Sequence, residues 1–106
     1  MVSVRNQQAV TIRIPPYICS WEVDDEINRA YTKMKQGNIV YCIDLQGVHN
    51  IYSATIRLIM RLYDRAKRLG GQIRIVNAEE SVMITLCALH INDRIPINQP
   101  FSSILN

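Results

Sequence analysis

The chain has 106 residues, of which 48% are hydrophobic, and its formal net charge is +3 at pH 7. This length suits one domain with one modest core, and the hydrophobic content excludes an intrinsically disordered chain. No apolar run is long enough to cross a bilayer, and the first residues, MVSVRNQQ, contain no apolar signal-peptide core. We therefore expect a cytoplasmic protein without direct membrane insertion.

The first half of the chain predicts strands around one helix. Residues 9–15 alternate apolar and polar side chains, which indicates a half-buried strand, and Val2 and Val4 are predicted to form a strand before it. Helical periodicity follows over residues 22–36. The run IVYCIDL at residues 39–45 is apolar almost throughout, which is typical of a strand covered on both faces of a sheet.

The second half predicts five further elements, in the order helix, strand, helix, short strand and short helix. These are residues 53–69, 72–77, 79–89, 95–98 and 100–105. Gly70 and Gly71 are predicted to end the first of these helices. Taken together, the pattern predicts an α/β fold: a single domain over residues 1–106, with a mixed sheet of about four to five strands and helices packed on it.

The predicted helix at residues 53–69 has an apolar arc wider than half its circumference. Five residues on one face are predicted to cover the sheet: Ile56, Ile59, Met60, Tyr63 and Ala66. Leu58, Leu62 and Leu69 lie beside this face, and we define them as the leucine line. Either a neighbouring helix covers the leucine line, or it forms a partner or dimer surface beside Arg57 and Arg61.

Ser53 stands where this helix is predicted to begin. A serine at that position is suited to cap the helix, by accepting a hydrogen bond from a backbone amide near Ile56. The exposed amides and the helix dipole also favour an anion there, so the fold would accommodate a phosphate on Ser53. The residues alone leave two compatible roles for Ser53, a structural cap and a regulatory site.

Other functional classes find little support in the sequence. Cys19, Cys42 and Cys87 are far apart with no C-x-x-C pair, so we interpret them as buried thiols and expect no metal or cofactor. An enzyme is not expected, because His49 near Ser53 has neither an orienting third group nor an oxyanion site. Nucleic-acid binding is not expected either, because the excess of positive charge is small and Tyr63 is the one aromatic residue among the basic residues of the predicted helix.

The stretch VYCIDLQGVHNIYSATIRLIMRLYDRAKRLGGQIRIVNAEE, residues 40–80, resembles the STAS domain of anti-sigma factor antagonists. A typical member has an apolar strand ending in Asp-Leu, a loop to Asp-Ser-x-Gly at a helix start, a Leu-rich helix ending in Gly-Gly, and a strand ending in Val-Asn. The matching features here are Asp44-Leu45, Gly47-Val48, Ser53, Gly70-Gly71 and Val76-Asn77. The tail CALHINDRIPINQPFSSIL also resembles the ending of the family, so the resemblance covers nearly the whole chain.

The resemblance implies a binding switch in bacterial transcription regulation, not an enzyme. In the family, the serine of Asp-Ser-x-Gly is phosphorylated by a partner kinase that is itself an anti-sigma factor. Phosphorylation weakens the binding of the two proteins, and a phosphatase reverses it. When the role of the family serine is transferred to this sequence, the resemblance implies that Ser53 is the phosphoacceptor, with Thr55 as a secondary candidate. Tyr52 and Thr55 replace the Asp and Gly of the motif.

The expected partner is therefore an anti-sigma factor with serine-kinase activity. A phosphatase and a second copy of the chain, in a homodimer, are further expected partners. The predicted contact residues lie in the loop and at the start of the helix: His49, Asn50, Tyr52, Ser53, Ala54, Thr55, Arg57, Leu58, Arg61 and Leu62. The alternative function is a constitutive STAS scaffold, a subunit of a signalling or transport complex that is not phosphorylated.

Overall fold

A computed structural model describes residues 8–99 of the chain. Within that range the strands are β1 (Gln8–Arg13), β2 (Ile39–Asp44) and β3 (Gln72–Val76), and the helices are α1 (Val23–Tyr31), α2 (Ser53–Arg68) and α3 (Glu80–Ala88). Two 3-10 turns, Ser20–Glu22 and Ile91–Asp93, precede α1 and follow α3. The strand predicted at Val2 and Val4 and the helix predicted at residues 100–105 lie outside the described residues.

The sheet has the order β1-β2-β3, and both strand pairs are parallel. Parallel neighbours need long crossover connections, which α1 and α2 provide on either side of β2. Three parallel strands in the described part of the chain are fewer than the four to five strands of the predicted mixed sheet. The α/β class is confirmed, whereas the strand number and the mixed character are not found within residues 8–99.

The short strand predicted at residues 95–98 forms a single parallel bridge between Ile97 and Ile75. Ile75 N donates to the Pro96 carbonyl and receives a bond at its own carbonyl from Asn98 N, both at 2.8 Å. The pairing stops there because Pro96 has no amide hydrogen and Asn98 leaves the extended conformation, with φ of 57°. Asn98 instead binds Ala78 through its side chain, donating to the carbonyl at 2.7 Å.

Helix α1 is shorter than the predicted range of residues 22–36. After Tyr31 the backbone tightens, since Lys33 N and Met34 N donate three residues back, to Ala30 and Tyr31. A buried tertiary contact then holds the chain: the Tyr41 hydroxyl accepts from Lys35 N at 3.0 Å and donates to the Lys35 carbonyl at 2.8 Å. This contact with β2 fixes a non-helical path that periodicity alone does not reveal.

The leucine line faces the interior. Leu58 and Leu62 are 1% and 0% exposed, and Leu69 is half-buried. Helices α1 and α2 pack against each other as well as against the sheet, so α2 needs apolar residues on two adjoining sides. The interpretation of the leucine line as a partner or dimer surface is therefore wrong for Leu58 and Leu62, and the neighbouring-helix interpretation is correct. Ile56, Met60 and Tyr63, predicted as central core residues, are only partly buried.

Gly70 and Gly71 end α2 as predicted, each for a different physical reason. Gly70 has φ of 80°, and its amide and that of Gly71 bond back to Lys67 and Ala66, the pattern of a Schellman motif. Gly71 lies against β2: a Cβ there would stand 2.7 Å from the Ile39 carbonyl oxygen. The two glycines thus stop the helix and let the chain enter β3 close to β2.

Two further findings concern α3 and the helices in general. Helix α3 buries Val82 and Leu86 and exposes its other sides, so Cys87 is exposed and its interpretation as a buried thiol is wrong. Cys42 is buried as expected, and Cys19 is half-buried. Among the helices of residues 8–99, none has the length and apolar character needed to cross a membrane.

Candidate functional site

The carboxyl ends of the three strands are joined by Asp44, the last residue of β2. Asp44 Oδ1 accepts hydrogen bonds from Asn77 Nδ2 at 3.0 Å and from Gln46 N at 2.9 Å. Arg13 Nη2, at the end of β1, lies 3.3 Å from Asp44 Oδ2. In open α/β sheets, ligands and partners commonly bind at this edge. The cluster fixes the loops that follow the strands.

The Asp44 carboxylate is a structural anion. Burial by itself would raise its pKa, but the hydrogen bonds from Asn77, Gln46 and Arg13 outweigh burial and lower the pKa below its ordinary value. Asp44 is therefore ionised at neutral pH, and both of its carboxylate oxygens accept hydrogen bonds from neighbouring residues. It acts as an anchor for the site rather than as a proton donor.

The loop from β2 to α2 is held at both of its ends. Gly47 has φ of 87°, which the turn requires, and Val48 N donates to the Leu45 carbonyl at 3.0 Å. At the outer end, His49 Nδ1 lies 2.8 Å from Glu79 Oε1, next to the start of α3. These contacts fix the position of the loop before α2, and they leave His49 and Asn50 exposed.

Helix α2 begins at Ser53, but the residue in the cap position is Tyr52. Tyr52 has an extended backbone, with φ of −99° and ψ of 164°, and its carbonyl accepts from Ile56 N at 3.1 Å. The Tyr52 amide donates to Thr55 Oγ1 at 3.3 Å. Thr55 thus stabilises the helix start, and Ser53 is not the cap. The Ser53 hydroxyl is exposed and makes no hydrogen bond with another residue of the described range.

The ten predicted contact residues divide between surface and interior. The exposed ones are His49, Asn50, Tyr52, Ser53, Arg57 and Arg61. The buried ones are Ala54, Thr55, Leu58 and Leu62. Thr55 is only 1% exposed, because its side chain turns inward to bond the Tyr52 amide. Thr55, Leu58 and Leu62 expose at most 1% of their surface, so a partner cannot reach them in this fold and Thr55 is not an accessible phosphoacceptor. Ala54 is 7% exposed and lines a surface depression together with Ser53.

Ser53 opens onto a depression between α1 and α2. The depression is lined by Ser20, Val23, Ser53, Ala54 and Arg57. Arg57 Nη2 lies 3.4 Å from Asp24 Oδ1, an exposed ion pair that joins the two helices at this point. Since Arg57 follows Ser53 by four residues, both side chains lie on the same side of α2. The depression therefore combines an exposed hydroxyl with an arginine whose ion pair with Asp24 is solvent-exposed and weak.

Three exposed aromatic residues lie close in sequence to residues that line this depression, and we name Tyr17, Trp21 and Tyr52 the aromatic patch. Trp21 is 80% exposed, Tyr17 61% and Tyr52 38%. The rings of Tyr17 and Tyr52 pack edge to face, with centroids 5.2 Å apart. A hydrogen bond with the Cys19 side chain raises the pKa of Tyr17 above its ordinary value.

The predicted contact surface omitted Tyr17, Ser20 and Trp21. Residues 16–21 show no strand or helix periodicity, so the sequence indicates only a link between a strand and a helix there. The signal that was available is compositional: the chain has a single tryptophan, and it stands in a short segment without strand or helix periodicity. An aromatic residue in such a place is unusual for a core side chain.

The described residues contain no group of three His, Cys, Asp or Glu side chains arranged to hold a metal ion. The pair formed by His49 and Glu79 and the pair formed by His90 and Asp93 are two-residue contacts. What the site offers chemically is an accessible hydroxyl, an arginine and aromatic surface. Such groups suit contact with another protein and modification by it.

Comparison with known proteins gives two findings. A model of the STAS domain family matches residues 3–104. The fold is similar to that of an anti-sigma-factor antagonist (STAS) domain protein from Planctomyces limnophilus, with a TM-score of 0.70 at 22% sequence identity, covering 90% of this chain and 86% of the other. No curated protein matches the chain significantly in sequence. The structural likeness, at this identity, concerns the fold, and the family match spans nearly the entire chain.

Proposed function

The chain belongs to the STAS domain family, and from this we propose that it is a regulatory protein-binding module of the anti-sigma factor antagonist kind. Its partner is an anti-sigma factor with serine-kinase activity, which it meets in the bacterial cytoplasm through the surface around Ser53. It acts by binding rather than by catalysis. The observation that carries the proposal is the Ser53 hydroxyl at the first residue of α2, which is exposed and forms no hydrogen bond with another residue between 8 and 99.

The position of Ser53 supports its role as phosphoacceptor. A kinase needs a hydroxyl that it can reach without unfolding the substrate, and Ser53 meets that need whereas Thr55 does not. Because the Thr55 side chain points into the protein, its replacement of the family glycine adds no bulk to the surface that a kinase would meet. Tyr52, which replaces the family aspartate, keeps its ring against Tyr17 and leaves the Ser53 side open.

A phosphate on Ser53 would alter the depression in two ways. It would fill part of the space lined by Ser20 and Ala54, and it would attract Arg57, one turn further along α2. Arg57 would then exchange its exposed contact with Asp24 for a stronger, doubly charged partner. A bulky, strongly hydrated group at the centre of a contact surface weakens docking, and a phosphatase restores the original surface.

The proposal is tested by incubating the protein with ATP and a histidine-kinase-like anti-sigma factor from the same genome, and by mapping phosphate by mass spectrometry. We expect one phosphate, on Ser53, that is absent in Ser53→Ala. Ser20→Ala is the matched control, because Ser20 is an exposed hydroxyl of the same depression and its loss should not reduce labelling.

Partner recovery completes the test. Wild type and Ser53→Ala should recover the kinase, and Ser53→Glu should recover less of it. If all three recover the kinase equally and none is labelled, the switch is wrong, and the constitutive scaffold is the function that this outcome supports. If none recovers it, binding to this class of partner is wrong as well.

A further inference from the structure

We infer that the aromatic patch, together with the carboxylate of Asp25, is a docking surface for an arginine or lysine side chain of the partner. This inference rests on the proposed function, because it names the chemistry of the partner segment that meets the surface around Ser53. It assigns to Tyr17 and Trp21 a role outside the loop and helix at Ser53.

Exposure is the first observation. Trp21 and Tyr17 expose more than half of their surface, although burying an aromatic side chain is strongly favourable. Tryptophan and tyrosine are also the residues that most often dominate the binding energy of protein interfaces. Trp21 directly follows Ser20, which lines the depression, and Tyr52 directly precedes Ser53. Two residues of the patch are therefore chain neighbours of residues that line the depression, and Tyr17 packs against one of them, Tyr52.

Charge selects the kind of side chain that would cover the patch. Four acidic residues follow Trp21 within five positions, in a chain whose net charge is +3: Glu22, Asp24, Asp25 and Glu26. Three of them have partners: Glu22 accepts from Cys19 N, Asp24 pairs with Arg57 and Glu26 pairs with Arg29. Asp25 is exposed and forms no ion pair with any residue between 8 and 99. A cation is thus the complement of this surface.

The chain already uses the same chemistry elsewhere. The Arg65 guanidinium lies 4.6 Å from the centre of the Tyr31 ring, and Lys67 Nζ lies 5.8 Å from that of Tyr63. No cation of the described range lies over a ring of the aromatic patch. A partner arginine placed between an aromatic face and a carboxylate gains both a cation–π contact and an ion pair, each strengthened as water is excluded.

The inference is compatible with release by phosphorylation. The phosphate on Ser53 occupies the depression itself, and Arg57 neutralises part of its charge. The phosphate then acts on the partner mainly by steric exclusion. The aromatic patch contributes to partner affinity only while no phosphate fills the depression.

The test measures the affinity of the purified kinase for the unphosphorylated protein by titration calorimetry. We expect Trp21→Ala to weaken binding about tenfold or more, the scale of an interface hot spot. Asp25→Lys should weaken it comparably, and the effect should shrink at high salt because it is electrostatic. Asp64→Lys is the matched control. It makes the same change of charge on the exposed side of α2, about 16 Å along the helix from Ser53.

Trp21 also gives a direct signal, because it is the single tryptophan of the chain. Its fluorescence should shift to shorter wavelength when the partner covers it. Circular dichroism of each variant shows that it is folded. If the wild type binds and Trp21→Ala and Asp25→Lys bind equally well, the docking surface is wrong and the proposed function stands. If the wild type does not bind, both are wrong.

Discussion

Asp44 and Asn77 join the carboxyl ends of β2 and β3, through a hydrogen bond of 3.0 Å from Asn77 Nδ2 to Asp44 Oδ1. Asn77 has φ of 60°, a left-handed conformation that asparagine tolerates better than most residues. The bond therefore holds the turn after β3 at the end of β2, beside the loop that leads to Ser53. Through this bond the fold keeps the edge that carries the candidate site in one arrangement.

Replacing Asp44 by asparagine removes this charge. We expect Asp44→Asn to lower the free energy of unfolding at pH 7 by about 1–3 kcal/mol, since the bonds to the carboxylate are charge-assisted and Asp44 is buried. The pKa of Asp44 is lowered in the fold, so its contribution is present above the unfolded pKa of about 3.9 and is lost as the pH falls through the folded pKa. Urea unfolding of both proteins between pH 7 and pH 2.5 should show their difference shrinking at the acid end; a constant difference would contradict the assignment.

Leu62 and Arg61 are adjacent on α2 and should respond oppositely to truncation. Leu62 is 0% exposed, so Leu62→Ala should lower the free energy of unfolding by about 2–5 kcal/mol. Arg61 is exposed, so Arg61→Ala should change it by less than about 0.5 kcal/mol. Urea denaturation distinguishes the two. A small loss in Leu62→Ala would place the leucine line on the surface after all.

Thr55 should matter for stability and Ser53 should not. Thr55→Val keeps the volume but removes the acceptor of the Tyr52 amide, which should destabilise the protein by about 1 kcal/mol. Thr55→Ser keeps that hydroxyl, although it loses a methyl group. Ser53→Ala should lie within about 0.5 kcal/mol of wild type. Thermal unfolding of the three variants checks the order, and a larger loss in Ser53→Ala than in Thr55→Val would return the capping role to Ser53.

Gly70 and Gly71 should tolerate different substitutions. Gly70→Ala is strained by the positive φ, at about 1–2 kcal/mol, and Gly70→Asn should recover part of that loss because asparagine accepts this conformation. Gly71→Ala should lose about 1–3 kcal/mol through its clash with β2, and Gly71→Asn should recover nothing. The midpoints of thermal unfolding of the four variants are compared with that of the unsubstituted protein. Recovery at position 71 would show that conformation, not space, is limiting there.

Arg57 should change the titration of a phosphate on Ser53. With phosphoserine incorporated at position 53 during synthesis, phosphorus NMR reads the second pKa of the phosphate directly. A nearby guanidinium favours the dianion, so Arg57→Ala should raise that pKa by about 0.5 from the value in the unsubstituted phosphoprotein. Asp24→Asn removes the ion-pair partner of Arg57 and should lower the second pKa of the phosphate. Identical titrations in all three proteins would show that Arg57 does not meet the phosphate.

Much of the fold could be predicted because its signals are local. The apolar run of β2, the start of α2 at Ser53 and the glycines after it each depend on neighbouring residues, and all three are found. The end of α1 could not be predicted, because it depends on a contact between the Tyr41 hydroxyl in β2 and the backbone of Lys35 in the segment after α1. The bridge at Ile97 likewise depends on the backbone of Ile75, which the sequence of the last segment does not indicate.

The sequence by itself determined the α/β class, the position of the candidate serine and the family resemblance, because periodicity, turn residues and ordered motifs are properties of neighbouring residues. The tertiary structure alone decided which sides of α2 are free. It turned Leu58, Leu62 and Thr55 inward against α1 and the helix start, and left Ser53 outside. It also brought Tyr17 to Tyr52, 35 positions apart in the chain. Such contacts depend on how helices pack on a common sheet, and one helical period is compatible with several packings.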